Sequence, residues 1–224
     1  MTFHFEQELT ELKEKLLSMA SRAEGAVIGA IKAVVGRDDD LARQVKEDDS
    51  LIDRFEIEID DMAIQLLAQA PLASDLRLIT VAMKISHDLE RVGDEATTIA
   101  RRSLELSKEP QLKPYVDIPR TADIALAMLR DALDAFVNRN AAKARAVIPR
   151  DKEVDALNKQ LHRELVSFMV EQPDTITRCL NLMVISKSLE RIADHATNIA
   201  EEVVYLYEAK DIRHTGKNAA TMPS

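Results

Sequence analysis

The stretch "SLERIADHATNIAEE", residues 188–202, decides the fold, because a related stretch, "DLERVGDEATTIARR", occupies residues 88–102. Both stretches place a glutamate and an aspartate four residues apart, Glu190 with Asp194 and Glu90 with Asp94. Like charges at this spacing lie one above the other on a helix and destabilise it by roughly 0.2–0.5 kcal/mol. The pattern therefore indicates that some other group compensates these carboxylates in the folded protein.

The similarity extends over most of the chain as an internal repeat. Residues 83–100 and 183–200 share eleven of eighteen positions at an offset of one hundred. Before Pro71 the offset becomes 102, and Asp49 and Asp53 then match Asp151 and Asp155. The change of offset falls in a turn, where a difference in loop length costs little. We therefore predict two copies of one unit, at residues 1–109 and 110–210, joined through "SKEPQLKPYVDIP", with a disordered tail at 211–224.

Each copy shows the apolar spacing of three long helices, and the chain has only five glycines and seven prolines. The sequence thus predicts an all-α fold of two tandem three-helix antiparallel bundles related by the internal repeat. The first helix is expected over about Phe5–Val35, with Gly36 as its stop. In the second copy, one uninterrupted helix is expected from Asn140 to Pro173. The expected helix caps are Asp38–Asp40, Ser74, Asn140 and Asp174.

The turn between the second and third helices brings the acidic residues together. In an antiparallel hairpin, residues equally distant from the turn lie level with each other. Asp53 with Glu90, and Asp49 with Asp94, are equally distant from the turn at Pro71. In the second copy the same holds around Pro173 for two matching pairs, Asp155 with Glu190 and Asp151 with Asp194. The sequence therefore predicts a cluster of four carboxylates on each bundle.

Oxygen-rich clusters of this kind bind hard or borderline cations, and a bound cation reverses the local repulsion. Glu56 and His87 lie one turn from the first cluster and are possible accessory ligands, although the residue matching His87 is Lys187. The ordinary alternative is a solvated acidic stripe neutralised by arginine. The candidates for that role are Arg43, Arg91, Arg145 and Arg191.

Composition bounds the function. A net charge of −9 argues against nucleic acid as a partner, because phosphate binding requires a basic face. Cys179 is the only cysteine, which favours a reducing compartment such as the cytoplasm. The N-terminus lacks a signal peptide pattern, and no apolar stretch is long enough to enter a membrane. No glycine-rich phosphate loop or nucleophile motif is present, so an enzyme is not expected.

The segments "LERVGDEATTIA", residues 89–100, and "LERIADHATNIAEE", residues 189–202, resemble the signature of the PhoU family, and "DDSLID" and "DKEVD" resemble its second-helix motifs. The resemblance implies a cytoplasmic negative regulator of phosphate uptake that links a phosphate ABC transporter to a sensor histidine kinase, often as a homodimer. It also implies multinuclear iron or zinc clusters on the bundle surface. Transferred to this sequence, the metal ligands that the resemblance implies are Asp49, Asp53, Glu90, Asp94, Asp151, Asp155, Glu190 and Asp194.

Two other classes of function stay open from the residues. A metalloenzyme could use a bridged metal pair for hydrolysis. A metal-free helical scaffold could instead neutralise its acidic stripes with arginine. Metal content and turnover assays distinguish these classes from a signalling adaptor.

Overall fold

The computed structural model describes residues 2–69 and 71–212, and within them the chain is helical without any β-strand. The seven helices are α1 (Thr2–Gly36), α2 (Asp39–Leu67), α3 (Ala73–Leu106), α4 (Asp117–Val137), α5 (Ala141–Val147), α6 (Asp151–Glu171) and α7 (Ile176–Glu208). The all-α prediction is confirmed. None of the helices among these residues is long and apolar enough to cross a bilayer. The predicted disordered tail falls mostly on residues 213–224, which lie outside the described part of the chain.

The first bundle consists of α1, α2 and α3, and the second consists of α4, the α5–α6 segment and α7. Each helix turns one apolar stripe inward, as its spacing predicted, and burial of each such side chain contributes roughly 1.5–3 kcal/mol. The largest fully buried side chains are Leu12, Leu16, Met19, Ile59, Leu66, Ile79, Ile85, Leu89, Ile99, Met128, Leu129 and Leu165. The acidic positions lie beside these stripes rather than within them, so the core does not depend on the carboxylates.

The ends of the helices correct several predictions. Asp38 and Asn140 are N-caps as expected, because their side chains accept hydrogen bonds from backbone amides of the following turn. Ser74 and Asp174 are not caps: α3 begins after Leu72, which makes no side-chain capping bond, and Asp174 lies within a short 3-10 turn, Pro173–Thr175, before α7. Gly36 is still helical, and Arg37, with φ of 53°, ends α1 in the left-handed region.

The second helix of the second copy is interrupted, contrary to the prediction of one continuous helix. A 3-10 turn, Ile148–Arg150, separates α5 from α6. Pro149 explains the interruption, since proline has no N–H for the helical hydrogen bond and its ring clashes with the carbonyl one turn earlier. Asp151 is consequently the first residue of α6, whereas its counterpart Asp49 lies within α2.

The two bundles pack against each other along the whole length of α3 and α7. Contacts between these helices include Lys84 with Glu202 at 3.0 Å, Asp88 with His195 at 2.8 Å and Glu95 with Arg191 at 3.0 Å. Residue numbers rise along α3 as they fall along α7, so the helices are antiparallel.

Arg37 and Arg139 offer a matched test of helix termination, because both have φ of 53° at equivalent positions of the repeat. A left-handed residue other than glycine costs roughly 1–2 kcal/mol. We expect Arg139→Gly to raise the free energy of unfolding, partly offset by the flexibility of glycine in the unfolded chain. Arg37→Gly should lower it, because the Arg37 guanidinium donates to the carbonyls of Ser107 and Glu109, at 2.9 and 2.6 Å.

The measurement is urea denaturation followed by circular dichroism at 222 nm. Equal changes for the two variants would contradict the assigned role of the Arg37 hydrogen bonds.

Candidate metal centre

The first carboxylate cluster lies on the seam between α2 and α3. Asp49 and Asp53 come from α2, and Glu90 and Asp94 come from α3. Burial and the negative charge of Asp53 raise the pKa of Asp49, and the charge of Asp94 raises it further. Burial and the charge of Asp94 likewise raise the pKa of Glu90. Asp49 and Asp94 lie on different helices and act on each other electrostatically, as the hairpin geometry predicted for this pair.

Gly93 allows α2 to approach α3 closely at this cluster. A Cβ atom at Gly93 would lie 2.9 Å from Cδ1 of Ile52 and 3.3 Å from Oδ1 of Asp49. Both contacts are tighter than ordinary van der Waals distances, so the absence of a side chain lets the Asp49 carboxylate sit against α3. The equivalent residue of the second copy is Ala193, so the two clusters are not built alike.

The second cluster lies on the seam between α6 and α7. Burial and the charges of Asp194, Asp155 and Glu190 raise the pKa of Asp151 to about 6. Burial and the charge of Glu190 raise the pKa of Asp194. The Asp194 side chain still reaches solvent, but neighbouring helices exclude water from part of its surroundings. Asp151 therefore interacts with the three other predicted carboxylates of this copy, and Asp194 interacts with Glu190 and Asp155.

Positively charged side chains partly neutralise both clusters. Arg91 contacts Glu90 at 3.3 Å and Asp94 at 2.9 Å. In the second cluster, Lys187 forms an ion pair with Glu190, and Lys159 lies 3.5 Å from Asp155. The Lys187–Glu190 ion pair was not predicted from the sequence. The three-residue spacing of these opposite charges on one helix would have indicated it.

The arginine-neutralised alternative receives limited support from these contacts. Of the four arginines considered for that role, Arg91 alone pairs with a cluster carboxylate. Arg191 pairs with Glu95 of the other bundle at 3.0 Å, Arg43 pairs with Asp40, and Arg145 pairs with Glu208.

The accessory residues lie beside the first cluster. The His87 Nδ1 atom is 3.2 Å from Oε1 of Glu56, and ligand atoms of Glu56, His87 and Glu90 all lie within 4.8 Å of one another. Two other histidines point away from this cluster. His195 contacts Asp88 at 2.8 Å, and the His162 ring lies 3.4 Å from the carbonyl of Met183.

The donor sets fit a cation. Carboxylate oxygens are the ligands preferred by hard cations, and borderline metals accept them together with imidazole. Among the described residues, Asp151 Oδ1 and Thr197 Oγ1 are buried without a hydrogen-bond partner. Such atoms carry an uncompensated desolvation cost, which a bound cation would offset at Asp151. A cation bound by these residues would neutralise the mutual repulsion of the carboxylates on the two helices of each seam.

Comparison with known proteins identifies the family. A model of the PhoU domain matches residues 16–103 and, a second time, residues 118–203. The chain belongs to the PhoU family. The double match agrees with the internal repeat, and the resemblance stated from the two signature segments is confirmed.

Curated relatives cover nearly the whole chain. The phosphate-specific transport system accessory protein PhoU homolog of Pseudomonas putida is 43% identical over 219 residues, which are 97% of this chain and 86% of the relative. The homolog of the same name from Pseudomonas aeruginosa is 42% identical over 214 residues, 95% of this chain and 88% of the relative.

Solved PhoU structures share the fold. The crystal structure of PhoU from Pseudomonas aeruginosa matches with a TM-score of 0.89 and 42% identity, over 92% of this chain and 100% of that chain. The phosphate transport system regulatory protein PhoU from Streptococcus pneumoniae matches with a TM-score of 0.88 and 31% identity, over 93% and 99% of the two chains. Two tandem PhoU bundles are thus the architecture of this protein.

The raised pKa of Asp151 predicts how stability depends on pH in the metal-free protein. The pKa of Asp151 in the folded protein is about 6, above the ordinary value of 3.8 for an aspartate. The folded state therefore binds the proton more tightly, and stability falls as pH rises from about 4 to about 6. We expect Asp151→Asn to raise the melting temperature above pH 7 and to have little effect near pH 4, because the neutral amide removes the buried charge.

The measurement is thermal unfolding across this pH range in the presence of a chelator. Asp48→Asn is the control, because Asp48 is exposed and forms no ion pair with the described residues. A variant that is instead less stable at high pH would show that the Asp151 carboxylate serves a favourable ion pair.

Proposed function

We propose that this chain is a regulator of phosphate transport that restrains phosphate uptake and the phosphate-starvation response. Membership of the PhoU family carries the proposal, since relatives of more than 40% identity are named as accessory proteins of phosphate-specific transport. A solved relative is likewise titled a phosphate transport system regulatory protein. A non-enzymatic role fits these names.

The location, the oligomeric state and the partners of the chain are proposed from its resemblance to the PhoU family. We propose that the chain works in the cytoplasm, as a homodimer, and couples a phosphate ABC transporter to a sensor histidine kinase. The net charge of −9 favours docking to basic surfaces on those partners, with association that weakens as salt concentration rises. Nucleic acid and membrane lipid are not proposed as partners.

The carboxylate clusters are proposed to bind metal, with iron or zinc as the candidates. The ligands would be Asp49, Asp53, Glu90 and Asp94 in the first bundle, and Asp151, Asp155, Glu190 and Asp194 in the second. The mutual repulsion of these groups and the unsatisfied Asp151 oxygen support the assignment. A bound cation would join the two helices of each seam and present a defined surface to a partner.

The cellular test uses a phosphate-starvation reporter in phosphate-rich medium. Deletion of the gene should derepress the reporter, and wild-type protein should restore repression. Glu90→Gln combined with Glu190→Gln should weaken repression more than either change alone, because each removes a carboxylate from one of two similar clusters. Protein abundance is measured in every strain.

Glu14→Gln combined with Glu171→Gln is the matched control. Both residues are exposed, and the double change removes the same amount of charge away from the clusters. A deletion strain that keeps the reporter silent would refute the regulatory role. Full repression by the cluster double variant would leave that role standing and remove the clusters from it. Elemental analysis of untagged protein, purified without chelator, tests metal content separately.

A further inference from the structure

The two bundles differ at the positions that flank their shared glutamate, Glu90 in the first and Glu190 in the second. The internal repeat aligns Glu56 with Asn158 at an offset of 102, and His87 with Lys187 at an offset of one hundred. A carboxylate and an imidazole in the first bundle thus correspond to an amide and an ammonium in the second. The repeated carboxylates alone do not reveal this difference.

In the first bundle these side chains converge. Glu56 on α2 approaches His87 on α3 at 3.2 Å, and Glu90 lies one helical turn beyond His87 on the same face. One ligand atom from each of the three residues lies within 4.8 Å of the others. Glu90 is 16% exposed, while His87 is 59% exposed and borders an open groove of about 610 Å³. The site is therefore anchored in the seam and open to solvent on one side, as a cation needs for entry.

In the second bundle the equivalent side chains have different chemistry and different partners. The buried Asn158 accepts a hydrogen bond from the Ser186 hydroxyl at 2.6 Å. The Lys187 ammonium contacts the Glu190 carboxylate from the position that the His87 imidazole occupies in the first bundle. An ammonium supplies positive charge but no lone pair, so it competes with a metal ion instead of binding it.

We propose that Glu56, His87 and Glu90 form a nitrogen-and-oxygen site for one zinc-class divalent cation, present in the first bundle only. Imidazole favours borderline metals such as zinc, cobalt and nickel, whereas clusters of oxygen ligands alone also suit magnesium and manganese. Three protein ligands leave a coordination position for water or for a group from a partner. The inference extends the proposed metal-binding role, since Glu90 belongs to both sites, and it makes the two bundles chemically unequal.

The direct test is calorimetric titration of metal-free protein with zinc in the presence of excess magnesium. Magnesium competes for the carboxylate clusters but poorly for an imidazole ligand. His87→Lys installs the residue of the second bundle, and Glu56→Gln removes the second ligand. We expect each variant to lose one zinc equivalent or to bind it at least about tenfold more weakly. Removal of a residue that only supports a metal ligand already weakens metal binding by about this factor, so removal of a ligand should weaken it at least as much.

His4→Gln is the matched control. His4 pairs with Glu8 at 3.3 Å on α1, which is the same kind of ion pair. His4 is not part of the group formed by Glu56, His87 and Glu90. This variant should bind zinc like the wild type. Cobalt provides an independent readout, because its visible absorption should change in His87→Lys if the imidazole is a ligand.

The outcomes separate this inference from the proposed function. Unchanged zinc binding and cobalt absorption in His87→Lys, with loss of metal in Asp49→Asn, would overturn the histidine site and leave the carboxylate cluster. Absence of zinc binding by the wild type would overturn the histidine site, and elemental analysis would then decide separately whether the carboxylate clusters hold iron or zinc. The regulatory role is judged by the cellular reporter, whose result does not depend on these titrations.

Discussion

The antiparallel packing of α3 against α7 is the contact on which the rest of the structure depends. These two helices carry the repeated signatures, and each also forms the centre of its own bundle. Ion pairs and hydrogen bonds fix their relative positions from Lys84–Glu202 to Arg102–Asn181. Because both helices are held on several sides, the carboxylates that they carry lie on rigid supports.

The acidic clusters show how a rigid fold can hold an unfavourable arrangement of charge. The stability of each bundle comes from apolar stripes that lie beside the carboxylates, so repulsion at the seam can be tolerated. Burial and this repulsion together raise the pKa values of Asp49, Glu90, Asp151 and Asp194. Such a site favours any cation that reaches it. A seam of this kind can therefore respond to a ligand without being required for folding.

The duplicated clusters have diverged through their neighbours, while the eight carboxylates match. Arg91 turns back onto its own cluster, but Arg191 crosses to Glu95 of the other bundle. The reason lies in the pseudo-symmetric packing of α3 and α7. The position that matches Glu95 is His195, which contacts Asp88 instead, so Arg91 has no glutamate to meet across the interface. Lys187 and Asn158 add a second difference beside Glu190.

The sequence by itself determined most of the helices, the repeat, and the approach of Asp49 to Asp94 and of Asp151 to Asp194, because these follow from local periodicity and from equal distances to a turn. It also contained the interruption at Pro149, which a closer use of proline chemistry would have predicted. Only the tertiary structure decided which arginine meets which carboxylate and how α3 packs on α7. Those contacts depend on helix rotation and on the direction of long side chains, which residue spacing alone does not specify.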